Sequence, residues 1–290
     1  MRDEIVARLA NTLDAQLISA EARRADQAPN CDSRDLYFQG LAWLNKGITP
    51  DDVAQARSFF DRALAADPGN VDALVGSAHA DARAGAFLFL SDPKAVFASA
   101  EAKLTKALSS VPDHARAHLD LGIVDICTKR AAQGIAECEH ALALDRNLAL
   151  AHVIMGRGKI FIGRAEETEA HIAEALRLSP RDTMIYIWMT TAGVAKLHLG
   201  SYEQAAAWFR RAIEANRNYP YRDFMLGAAL AQLGRLDEAH SAVKAGLALN
   251  PTFSISRTRA AFTAMSDDPT YLAQLEPILE GVRKAGLPEE

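Results

Sequence analysis

The sequence predicts an all-α fold, an α-solenoid of stacked helix-turn-helix repeats, and three observations carry that prediction. A boundary phrase, Ala175-Leu176-Arg177-Leu178-Ser179-Pro180, recurs in related forms that end at Pro68, Pro112, Arg146, Pro180, Arg217 and Pro251, spacings of 44, 34, 34, 37 and 34 residues. A 34-residue period marks a helix pair that cannot bury its apolar face alone and must stack on copies of itself. Twelve residues before each boundary the side chain is small (Ala56, Ala100, Gly134, Thr168, Ala205, Ala239), and eight before it stands Phe60, Leu104, Cys138, Ile172, Phe209 or Val243. Five before it stands Ala63, Ala107, Ala141, Ala175, Ala212 or Gly246. Antiparallel helices approach closely only where small side chains face one another, and a larger one then fills the wedge between them. Finally, the first helix of a pair, helix A, carries Gly122, Gly156, Gly193 and Gly227 for close crossing. Its end is marked by Gly85, Gly163, Gly200 and Gly234, residues suited to a left-handed C-terminal position.

The boundaries divide the chain into an N-terminal helix and linker (1–32), six units (33–68, 69–112, 113–146, 147–180, 181–217, 218–251) and a C-terminal cap (252–290). Ile5, Val6, Leu9, Leu13, Leu17 and Ile18 line one stripe of an amphipathic helix, which either packs on the first repeat or docks another chain. The next helix begins near Ser33 and contains Asp35-Leu36-Tyr37-Phe38-Gln39-Gly40, a run similar to a protease site used for removing purification tags. Its continuation into Leu41-Ala42-Trp43-Leu44 has the apolar spacing of a first helix A. Thr49 or Asp51 caps the following helix B, with Pro50 allowed in its first turn.

The 44-residue spacing places 10 extra residues between the helices of the second unit, including Ala86-Phe87-Leu88-Phe89-Leu90-Ser91-Asp92-Pro93. So apolar an insertion is expected to fold onto the solenoid flank or to meet a partner. The 37-residue spacing places 3 extra residues within 186–192, which predicts a longer helix A in the fifth unit. Thr252 to Met265 supplies an atypical helix, and a last one opens at Asp267-Asp268-Pro269, with a kink expected at Pro277.

The chemistry-bearing residues point away from catalysis. With 49% apolar and 24% charged residues and a net charge of −5, the chain reads as a cytoplasmic globular protein without the basic footprint of a nucleic-acid binder or a membrane span. Three cysteines, Cys31, Cys127 and Cys138, show no Cys-x-x-Cys pairing, so neither a disulfide framework nor a zinc ribbon is indicated. His114 and His118 are four apart on one helix, a metal-ligand spacing, but no Cys or carboxylate cluster in the sequence completes it, so no metal or cofactor is expected. No Gly-x-Ser-x-Gly occurs, and the glycines around Arg157 follow the repeat register.

The small, filling and glycine positions together resemble the tetratricopeptide repeat (TPR) family over about residues 33–251. The resemblance implies a right-handed superhelix whose A helices line a concave surface. It implies peptide contacts at Arg116, Leu119, Ile123, Leu150, Val153, Arg157, Tyr221 and Phe224. Such a surface would be apolar with isolated positive charges, suited to an acidic-hydrophobic segment. The lysine and asparagine clamp of co-chaperone repeats has no counterpart there. The superhelix's own terminal helix could also cover part of it.

Longer phrases, among them Asp35 to Gly47, Arg130 to Glu139, Ile213 to Pro220 and Asp268 to Ala273, are similar to the C-terminal repeats of bacterial class III adenylate/guanylate cyclase-like proteins. No region of this sequence corresponds to their cyclase domain. The resemblance therefore implies a non-catalytic scaffold or regulatory module that binds a protein or peptide, with cyclic-nucleotide signalling as its expected setting. The alternative is a small-molecule or signal-peptide sensor using the same surface. The sequence leaves the oligomeric state open.

Overall fold

The computed structural model describes residues 16–26, 31–47, 49–87 and 92–290. Ile5 to Leu13 of the N-terminal stripe and residues 88–91 of the insertion lie outside them. The described elements are helical: α1 (16–26), α2 (Ser33–Lys46), α3 (Pro50–Ala66), α4 (Val71–Phe87), α5 (Lys94–Ser110), α6 (Ala115–Cys127), α7 (Ala131–Leu144) and α8 (Ala149–Phe161). After a short 3-10 turn at Ala165–Glu167 come α9 (Thr168–Leu178), α10 (Ile185–His198), α11 (Tyr202–Ala215), α12 (Tyr221–Gln232), α13 (Leu236–Leu249), α14 (Ile255–Thr263) and α15 (Pro269–Lys284).

Two compact units contain these helices. The first comprises the described residues of Met1–Cys127, Gln133–Ala151 and Arg177–Thr183; the second comprises Thr128–Ala132, His152–Leu176 and Met184–Glu290. In the first unit each of α2 to α5 packs on its successor, and α2, α4 and α6 also pack in sequence. In the second unit each of α10 to α12 packs on its successor, with α10 also on α12. Hairpins stacked A helix on A helix define an α-solenoid.

The three repeat registers account for the core. Ala56, Ala100, Thr168, Ala205 and Ala239 are buried, as are Phe60, Leu104, Cys138, Ile172, Phe209 and Val243, and Ala63, Ala107, Ala141, Ala175 and Ala212. At the α6–α7 crossing backbone meets backbone: a Cβ on Gly122 would stand 2.6 Å from Cys138 Sγ and 2.9 Å from the Gly134 carbonyl oxygen. A Cβ on Gly134 would stand 2.6 Å from the Gly122 carbonyl oxygen. Only two glycines let these backbones meet.

Local signals place the ends. Asp32 and Thr49 cap α2 and α3 with reciprocal capping boxes to Asp35 and Asp52, and Asp268 caps α15. Gly163, Gly200 and Gly234 have φ of +72°, +68° and +76°, the left-handed conformation that ends an A helix; Lys129 takes that role after α6 with φ +65°. In α1, Ala22 and Ala25 are buried. Arg24 pairs with Asp35 at 2.6 Å and Gln39 donates to Asp26 at 2.9 Å, so α1 lies on α2.

Two expectations are corrected. Gly85 does not end its helix, because α4 runs on to Phe87; a Cβ there would stand 2.6 Å from the Phe97 ring, so close packing against α5 sets the requirement. The fifth unit's extra residues lengthen helix A by only one residue relative to α6 and α8. α10 has 14 residues and starts at Ile185, and most of the surplus sits in the turns between Leu178 and Ile185. Arg181 and Asp182 stand just after Pro180 and make that turn, with the Asp182 amide donating to the Ser179 carbonyl at 3.3 Å. Pro277 lies within the uninterrupted helix α15, and its carbonyl accepts from Gln232 Nε2.

Candidate functional site

The eight A-helix positions divide between the two units. In the first, Leu119 and Ile123 are buried, while Arg116 and Leu150 are half-buried. Arg116 is held by a buried network. Its Nη2 donates to His79 Nε2 at 2.7 Å and its Nε lies 3.3 Å from Asp120 Oδ1. His79 Nδ1 lies 2.7 Å from the same carboxylate oxygen.

A guanidinium only donates, so His79 Nε2 must be the acceptor and its proton must sit on Nδ1, facing Asp120. The ring is therefore neutral. Burial, and then the neighbouring Arg116 charge, push its pKa down to about 4. Burial alone would raise the Asp120 carboxyl, but His79 and Arg116 outweigh it and hold it below the usual range. The third member of this Asp-His arrangement is a guanidinium rather than a hydroxyl or thiol. It fixes Arg116 in place and supplies no nucleophile. Asp81 forms a second buried cluster, accepting from Arg57, from Lys103 Nζ at 2.7 Å and from Ser99 Oγ at 2.8 Å.

In the second unit, Val153, Tyr221 and Phe224 are buried and Arg157 is half-buried. The chain's own C-terminal residues cover three of these positions. Phe224 stacks on Phe253, ring centroids 4.1 Å apart, and Tyr221 meets Phe262 edge to face at 6.0 Å. Arg157 Nη2 lies 3.7 Å from Met265 Sδ. Ser266 Oγ donates to the Phe161 carbonyl at 2.6 Å, and Tyr271 stacks on His198 at 5.0 Å. α15 packs on α10 and α12, so the cap crosses the A-helix face.

Below Tyr221, Arg222 is fully buried and donates to the carbonyls of Ala212 (2.7 Å), Tyr219 (3.1 Å) and Asn216, tying the preceding turn to α12.

The two histidines at one repeat position have different surroundings. His118 Nδ1 lies 2.6 Å from Glu137 Oε2, whereas His152 lies beside His171, ring centroids 6.0 Å apart. His114 turns away from His118: its Nδ1 accepts from the Ala117 amide at 3.2 Å and its Nε2 lies 3.2 Å from Asp72. Cys127 and Cys138 are buried, as their helix positions predict. Sequence reasoning passed over His79, Asp120, Glu137 and His140. The only local signal was the Glu137-x-x-His140 spacing, which puts two ligand-type side chains on one helix face.

The helix hairpins, their registers and their left-handed ends define a TPR-like α-solenoid. The family model "Tetratricopeptide repeat" matches residues 189–219, which cover most of α10, the turn after it and all of α11. No curated protein matches the sequence. Among solved structures, the chain is similar to the APC/C hetero-tetramer Cut9-Hcn1, with TM-score 0.66 and 16% identity over 89% of this chain and 47% of that one. It is similar to IFIT1 solved with m7Gppp-AAAA, with TM-score 0.66 and 17% identity over 86% of this chain and 59% of that one. It is also similar to a thermophilic TPR protein of Thermus thermophilus, with TM-score 0.54 and 16% identity over 68% of this chain and 98% of that one. The chain thus spans about half the length of the first of these structures. At such identities the likeness is one of fold. Among the described residues no helix is long and apolar enough to cross a membrane.

Proposed function

We propose that the chain is a non-catalytic interaction scaffold that takes a peptide segment on its A-helix face. One observation carries this reading. Arg157, Tyr221 and Phe224 already receive a segment of the same chain, through a thioether, an edge-on ring and a stacked ring. A face that accepts Phe253, Phe262 and Met265 has the chemistry to accept an apolar peptide, with arginines to select acidic neighbours. In the first unit the half-buried Arg116 and Leu150 offer related chemistry, whereas Leu119, Ile123 and, in the second, Val153 lie buried behind that face. A partner on the second unit competes with the C-terminal segment.

The cyclase-like phrases support a role in cyclic-nucleotide signalling beside a separate catalytic chain in the bacterial cytoplasm. The net charge of −5 favours protein over nucleic acid. The likeness to IFIT1 concerns fold, so an RNA oligonucleotide belongs among the probes.

The test is selection from a random peptide library, followed by anisotropy with the chosen peptides. Acidic-hydrophobic sequences should be enriched, and Arg116→Glu and Arg157→Glu should each weaken them by about tenfold. Selection of no peptide, or affinity untouched by both changes, would sink the scaffold reading.

A second reading, a small-molecule sensor, rests on an open cleft of 630 Å³ lined by Leu197, His198, Tyr202, Thr270 and Gln274 among others. That volume lies within the usual range for small ligands. Saturable stabilisation by a metabolite, abolished by a Tyr202 substitution, would favour it.

A further inference from the structure

We propose that His118, Glu137 and His140 form a zinc site in the first unit. One ligand atom from each residue lies within 4.8 Å of the other two. They stand on two helices fixed to each other by the Gly122–Gly134 backbone contact. His118 lies one turn before Gly122 on α6, and Glu137 and His140 follow Gly134 on α7, three residues apart on one face. Cys138 points the other way, its sulfur against Gly122, and stays outside the ligand set.

The hydrogen bonds of His118 constrain what lies between these groups. The Pro112 carbonyl can only accept, and it lies 2.8 Å from His118 Nε2, so that nitrogen carries a proton. His118 Nδ1 then faces Glu137 Oε2 at 2.6 Å. A lone pair and a carboxylate this close need a cation between them, either a proton or a metal ion. Metal-ligating histidines almost always donate their other N–H to a backbone carbonyl or carboxylate, which is the arrangement His118 has with Pro112.

His140 favours the metal over the proton. Its ring centroid is 4.0 Å from that of His118, tilted by 34°. A bridging proton satisfies only His118 and Glu137, whereas a dication also engages His140 once its ring swings out to present a nitrogen lone pair. Two imidazole nitrogens and one carboxylate oxygen are a ligand set of zinc, with a fourth position left for water or a partner's side chain. Tetrahedral coordination at ~2.0–2.1 Å would set ligand atoms about 3.4 Å apart. His118 is buried and anchored, while the half-exposed Glu137 has room to open from 2.6 Å and the exposed His140 to move into position.

The experiment uses the full chain without a polyhistidine tag, stripped with chelator. Zn2+ is titrated by calorimetry, and Co2+ is followed by visible absorption. Expected are one equivalent of Zn2+, tetrahedral Co2+ bands, and losses of affinity of about tenfold or more in His140→Ala and Glu137→Gln. Both substitutions lie on the surface side of α7, and circular dichroism confirms that they fold. His114→Ala should leave binding unchanged. The absence of saturable binding would mean that a proton alone bridges His118 and Glu137, and it overturns the proposal. Binding that His140→Ala and Glu137→Gln leave intact places the ion elsewhere and overturns it equally.

Discussion

Phe224 and Phe253 lie face to face, ring centroids 4.1 Å apart and planes 6° from parallel. The Phe224 ring also presses on α13, where a Cβ added to Gly246 would stand 2.7 Å from it. One ring thus joins the last full hairpin to the segment that follows it.

Phe253→Ala should cost about 3 kcal/mol, the range for removing a buried aromatic side chain. Urea unfolding measures the loss. Amide hydrogen exchange should show faster exchange in α14 and α15, with little change in α2 to α5.

Stability should fall in mild acid. His79 and His198 are both held at a pKa of about 4, His79 by burial and then Arg116, His198 by burial. In the unfolded chain each titrates near ~6.5. Between these values the unfolded chain binds protons that the native chain does not. The stabilisation is therefore complete above ~6.5 and is lost as the pH drops toward 4, on the order of 3 kcal/mol for each histidine. Urea titrations across this window measure the slope, and His79→Gln should reduce it. Arg116→Met should raise the His79 pKa, read by NMR, since it removes a neighbouring positive charge.

The two kinds of glycine should respond differently to alanine. Gly134→Ala puts a methyl 2.6 Å from a backbone oxygen and should cost about 3 kcal/mol or more. At Gly200 nothing lies within 4 Å, but φ is +68°, so Gly200→Ala should cost only about 1–2 kcal/mol of backbone strain. Thermal or urea unfolding of both variants checks the ranking.

Thiol labelling should separate the cysteines. Burial pushes the Cys138 thiol well up, whereas Cys31 is half-buried with its sulfur 3.3 Å from the Ala25 carbonyl. Cys31 should react with Ellman's reagent under native conditions, and Cys138 only on unfolding.

Much of the core was legible because repetition makes one physical requirement visible several times. Phe60, Phe209 and Val243 stand at one count from a boundary and fill one wedge, so each supports the others. Where the chain departs from the period, counting located the surplus but not its conformation. Most of the fifth unit's extra residues entered a turn rather than a helix, since Pro180 and the polar residues after it offered that turn with no core position to disturb. Gly85 could not be told from a helix-ending glycine because its true constraint, the Phe97 ring, belongs to another helix. For the same reason the His79–Asp120 pair, 41 residues apart in sequence, was beyond any local pattern. The occupancy of Arg157, Tyr221 and Phe224 was foreseen only as one of two options, because which segment returns to that face depends on how α14 and α15 fold back.

That return bears on how the chain acquires its structure. In a solenoid held by nearest-neighbour contacts, each hairpin can settle on the one before it as it leaves the ribosome. Here Ser266 bonds to Phe161 across 105 residues and Asp267 to Lys129 across 138. The end of α8 and the turn before α7 cannot complete their packing until those later residues have been synthesised. The first unit can mature during translation, while the second must wait, with apolar side chains such as Tyr221 and Phe224 uncovered in the interval.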